Sequence, residues 1–163
     1  MISIILIFSL LLETAFSNIV PLNSLFIPLF VVTSLTILYP YFKKNKINFI
    51  IVCMIMGLVY DIVFSNSSFV NVIAFSLIGG LLMICYNYVK YNIYTANIIN
   101  LIVLISYRII TYIILLSINY ITFNNKILLS GIYSSILMNV IYGIILFYTT
   151  DVLSRIFNRT RVE

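Results

Sequence analysis

Six apolar runs, each about 18–24 residues long, decide what this chain can fold into. They cover residues 2–20, 25–42, 47–64, 69–89, 97–120 and 127–150. A bilayer core is about 30 Å thick and takes about 20 apolar residues of helix to cross. Helix is the form required, because no water is present there to satisfy an exposed backbone. Soluble domains carry about 25% charged residues; this chain carries 8% and is 63% hydrophobic. The expectation is an all-α integral membrane protein. A bundle of six transmembrane helices fills 1–150, and a short basic tail follows at 151–163. The first run has no basic start and is interrupted by Glu13, which argues against a cleaved signal peptide.

The few charges orient the bundle. Lys43, Lys44 and Lys46 fall between the second and third runs, Lys90 between the fourth and fifth, and Arg155, Arg159 and Arg161 in the tail. With six spans all seven lie on one side, against Lys126 alone on the other. Basic residues stay cytoplasmic, so the N- and C-termini are expected to be cytoplasmic. The same inner loops are expected to meet anionic lipid, at about 1 kcal/mol per basic residue near the surface.

Several function classes drop out. Histidine is absent, and Cys53 and Cys85 each sit inside an apolar run, where they read as small packing residues. A histidine-based triad is excluded and no metal or cofactor is expected. The lysines of a serine–lysine pair are missing from the spans, so an enzyme is not expected. No basic stripe exists that follows a phosphate backbone, so nucleic acid is not a partner.

Three ionisable residues fall within spans: Glu13, Asp61 and Arg108. At 1.5 Å per residue they stand about 17, 21 and 17 Å above the inner ends of their helices. Each alone costs at least ~2.5–3.5 kcal/mol near the bilayer centre. Two carboxylates and a guanidinium at one depth point to a buried ion cluster, since a planar guanidinium bridges two carboxylates. Two alternatives stand beside it: a proton or ion path, and, for Asp61 alone, ordering of the short outer turn at 65–68. Four-residue spacing places small and polar residues on single helix faces. The stripes are Ser9–Glu13–Ser17, Gly57–Asp61–Ser65 and Gly131–Ser135–Asn139–Gly143. Asn100, Arg108 and Tyr112 share one face of the fifth helix, and Ser76, Gly79 and Gly80 mark the fourth.

The stretch GLVYDIVFSNSSFVNVIAFSLIGGLL, residues 57–82, resembles the central segment of the rod shape-determining protein MreD family. That family has a Gly-Leu-X-X-Asp run at a helix end, here Gly57 to Asp61, then a short outer turn and a helix with small residues, here Gly79 and Gly80. An acid in the first helix matches Glu13, and an asparagine in the last matches Asn139. This chain departs from the family after the outer turn, where Val70 or Asn71 replaces a glycine. The resemblance implies a non-enzymatic scaffold of the cell-elongation complex in the bacterial cytoplasmic membrane. It further implies binding to the bitopic protein MreC, and indirectly to MreB and the peptidoglycan synthases that set cell shape.

A rival comes from another class. Substrate-binding components of energy-coupling-factor transporters are also small six-span proteins. Glu13, Asp61, Arg108 and Asn139 offer the convergent polar groups that a ligand pocket needs. The first helix, however, carries only Ala15 where those components present alanines at four-residue spacing.

Overall fold

A computed structural model describes residues 1–19, 27–43, 45–64 and 69–156. The chain breaks expected at 21–23 and 65–68, together with Lys44, Ser65, Arg159 and Arg161, lie outside them. The described chain is helical: α1 Ile2–Ile19, α2 Phe30–Leu38 with a 3₁₀ turn at Tyr39–Phe42, α3 Lys46–Phe64, α4 Val70–Asn87, α5 Ile93–Ser117 and α6 Asn125–Ile156. Among the described residues, the helices α3 to α6 are long and apolar enough to cross a membrane, and α1 and α2 are shorter apolar helices. The helix α6 runs without interruption from Asn125 past residue 150 to Ile156.

The second segment differs most from its expectation. Rather than one helix over 25–42, residues 27–29 are non-helical and α2 has nine residues. All nine are buried. A helix that is apolar all round belongs in a core, and α2 packs against α1, α5 and α6. It is the axis of the bundle.

Cross-helix contacts fix the directions. Glu13 meets Val31 and Ser9 meets Ser34, so α1 and α2 are antiparallel. Leu29 meets Asn139 and Tyr41 meets Thr150, so α2 runs parallel to α6. Gly57 lies against Asn71 and Gly79 against Cys53, which makes α3 and α4 an antiparallel pair. The α5–α6 pair is antiparallel too, through Tyr112 with Asn124 and Asn100 with Asn139. This alternation gathers Lys43, Lys46, Lys90 and Arg155 at one end of the bundle and leaves Lys126 at the other.

Candidate functional site

A nine-residue helix inside a bundle has a backbone problem at each end, because its first N–H and last C=O groups lack intrahelical partners. Leu29, at the N-cap of α2, has no side chain able to help. Two other helices supply the partners. From α1, Glu13 Oε2 accepts the Val31 N–H at 2.9 Å. From α6, Asn139 Oδ1 accepts the Leu29 N–H at 2.7 Å, while its Nδ2 donates to Ile27 O at 3.1 Å. The Ile27 N–H donates to Ser134 O at 3.0 Å. Asn139 thus brackets the non-helical stretch as a neighbouring strand would. Irregular backbone at membrane depth is tolerated where protein encloses it, and Leu29 and Asn139 are both buried.

The other end of α2 follows from Pro40. A proline has no N–H, so the carbonyl of Thr36, four residues earlier, loses its helical donor. Tyr86 of α4 donates to Thr36 O at 3.2 Å, and Tyr91 donates to Ile37 O at 3.1 Å. On the flank of α2, Ser9 Oγ lies 2.6 Å from Ser34 Oγ and 2.7 Å from the Tyr142 hydroxyl, joining α1, α2 and α6.

The same device recurs at α4. Its N-cap is Phe69, held at φ 70° with no side-chain cap bond. That left-handed conformation suits glycine, and here a phenylalanine adopts it. Asp61 of α3 takes over the capping. Its carboxylate accepts from Asn71 N–H at 3.1 Å and from Val72 N–H at 3.2 Å, the second and third amides of α4. It also accepts from Asn71 Nδ2 at 2.8 Å. An aspartate placed at the N-cap does the same for its own helix, aided by the helix dipole. One turn before Asp61, Gly57 makes the geometry possible. A Cβ there would sit 2.6 Å from Asn71 O and 2.7 Å from Val72 Cα. Capping beside the outer turn, rather than an ion cluster, is the role that the described contacts of Asp61 fit.

Tyrosines link the two capped ends. Tyr60 donates to Glu13 Oε1 at 2.6 Å, and Tyr107 of α5 donates to Asn71 Oδ1 at 2.7 Å. Both rings pack against Phe75, with centroids 5.4 Å and 5.6 Å away. The polar layer therefore has two arms, Glu13–Tyr60 and Asp61–Asn71–Tyr107, that meet at Phe75.

The expected ion cluster does not form. Among the described residues no ion pair joins Arg108 to Glu13 or Asp61; the pair that does form is the exposed Arg155–Asp151 contact at 3.1 Å. Backbone amides and a tyrosine hydroxyl hold the carboxylates instead. The Nε and Nη2 atoms of Arg108 are enclosed without a hydrogen-bond partner. Arg108→Gln is therefore expected to leave stability unchanged or to raise it, because no described bond is lost and an enclosed, unpartnered charge is removed. A Glu13/Arg108 double-mutant cycle read by thermal unfolding in detergent checks this, and a coupling above about 1 kcal/mol would restore the ion pair.

The remaining expected residues divide. Gly79 is a contact point, its Cβ position lying 3.1 Å from Cys53 Sγ, whereas Gly80 faces open space. Ser9, Ser135, Asn139 and Gly143 point inward; Ser17 is exposed. Tyr60, Asn71, Tyr86 and Tyr107 were not singled out by sequence, and thirteen tyrosines in the chain hide the few that matter. Compared with known proteins, the chain matches no family model, no curated protein and no solved structure.

Proposed function

We propose that this chain is a non-enzymatic, six-pass scaffold of the bacterial cytoplasmic membrane. It works in the manner of the MreD family within the cell-elongation complex. In this reading both termini are cytoplasmic, MreC is the direct partner, and MreB and the peptidoglycan synthases are reached through it. The observation that carries the reading is the Gly57–Asp61 joint. Gly57 and Asp61, two of the residues on which the resemblance rests, form one structural unit that closes α3 onto the first turn of α4. A second support is how the intramembrane acids are used. Glu13 and Asp61 hold helix ends, which suits a rigid subunit rather than reaction chemistry. A third is surface: an apolar groove of about 550 Å³ runs between α1 and α6, lined by Phe8, Leu12, Phe16, Met138, Ile141 and Ile145.

The transporter-subunit reading keeps one observation in its favour. Arg108 offers enclosed, unpartnered guanidinium nitrogens to an anionic group. One experiment separates the two readings. The tagged chain is co-expressed with the bitopic MreC-type protein of the same genome and purified in mild detergent. Stoichiometric recovery of that protein is the expected result. Recovery of a bound small-molecule anion with no bitopic partner overturns the scaffold.

A further inference from the structure

A second groove, of about 520 Å³, opens between α1 and α3. Leu6 and Leu10 of α1 form one wall, Val52 and Val59 of α3 the other, and Phe42 and Ser3 line its lower end. Both helices start at the end of the bundle that carries Lys43, Lys46, Lys90 and Arg155. They run upward in parallel until Tyr60 donates to Glu13 Oε1 at 2.6 Å and ties them together. The groove thus reaches the basic end below, and its lining ends at Leu10 and Val59, just short of that hydrogen bond.

Depth limits what can lie in it. Glu13 follows Ser3 by ten residues of one helix, a rise of about 15 Å. That is half of a hydrocarbon core about 30 Å thick, so the groove serves a single leaflet. A partner's transmembrane helix needs a seam across the whole core, and the Glu13–Tyr60 bond interrupts such a seam halfway. An acyl chain of the leaflet at the basic end needs no more than this depth.

Charge selects the headgroup. Lys46 opens α3 about 9 Å below Val52 and is exposed, and Lys43 directly follows Phe42. Among the described residues, the acid at this end is Asp151, and it is paired with Arg155. The lysines therefore keep their charge for a phosphate at the mouth of the groove, beside the exposed Ser3 hydroxyl. We propose that the groove between α1 and α3 holds one acyl chain of an anionic phospholipid, with its phosphate at Lys43 and Lys46. Basic loops attract anionic lipid in general; the groove gives that attraction one seat. This inference goes beyond the scaffold reading and stands without it, because it uses only the groove and the basic end.

The test adds phosphatidylglycerol or phosphatidylcholine, with identical chains, to the full-length protein in mild detergent and follows melting. Phosphatidylglycerol is expected to raise the midpoint saturably, by roughly 2–4 °C at tenfold excess over its dissociation constant. Phosphatidylcholine is expected to bind at least about fivefold more weakly, the factor that one basic residue contributes toward an anionic lipid. Glycerol phosphate, which has no chains, is expected to give no shift. Val52→Phe narrows the groove and is expected to lose most of the phosphatidylglycerol shift. Lys43→Gln combined with Lys46→Gln is expected to keep the phosphatidylcholine response and lose the preference. Equal responses of the wild type to the two phospholipids overturn the proposal. So does a full shift with glycerol phosphate, or an undiminished shift in Val52→Phe, since the lipid would then bind elsewhere. If a variant fails to fold, native mass spectrometry of the wild type in an equal mixture of the two phospholipids decides. One retained phosphatidylglycerol per chain supports the seat, and a statistical mixture overturns it.

Discussion

Replacing Glu13 with alanine is expected to cost the fold about 2–4 kcal/mol, a large loss for one side chain. Two hydrogen bonds disappear, and each enclosed donor left unsatisfied costs about 1–3 kcal/mol in soluble proteins. Interhelical bonds in membranes average lower, about 0.6 kcal/mol, because the unfolded chain in lipid finds other partners. The Val31 amide and Tyr60 hydroxyl escape that discount, since both are enclosed at the start of the buried α2. Glu13→Gln is expected to lose about half as much, because its amide oxygen still accepts one bond. Unfolding of the purified protein by SDS titration measures both. A Glu13→Ala loss below about 1 kcal/mol would mean that α2 does not depend on this cap.

The second large effect is expected at Gly57. The atoms that a new methyl group meets are backbone, Asn71 O and C and Val72 Cα, all at 2.9 Å or less. Backbone cannot rotate aside, so Gly57→Ala forces α3 and α4 apart and draws Asp61 away from the amides it caps. Overpacking costs typically ~1–3 kcal/mol, and the weakened cap adds about another 1 kcal/mol. Gly80 is the control, with nothing near its Cβ position. Gly80→Ala is expected to be neutral or to gain up to ~1 kcal/mol from helix propensity. Thermal unfolding of the two variants side by side decides. Similar losses at both positions would show that helix flexibility, rather than close approach of α4, is what Gly57 provides.

The four-residue stripes show how far sequence reaches. Ser9, Glu13, Gly57, Asp61, Ser135, Asn139 and Gly143 all face inward, as polar and small residues do when lipid surrounds a bundle. Sequence also located most of the helices to within a few residues. It missed the interruption of the second one. A segment buried on every side has no polar face, so hydropathy reads 25–42 as one continuous run. The usable signals were Pro28 and Pro40, each of which removes a backbone donor. Arg108 misled for a different reason. Matching charges by depth counts ions and overlooks backbone amides, and at α2 and α4 the amides take the carboxylates. The tyrosines that complete the polar layer were beyond reach, because nothing local separates Tyr60 or Tyr107 from the tyrosines on the surface.

The arrangement around α2 also constrains the order of biogenesis. Ribosomes deliver the second segment early, yet Asn139, Ser134 and Tyr142, which seat it, are translated about a hundred residues later. Until the last helix emerges, the extended stretch at 27–29 has no strand-like neighbour and its amides face lipid or the insertion channel. Insertion of this protein therefore cannot be a simple succession of independent spans. The second segment gains its last backbone partners only when the sixth is in place.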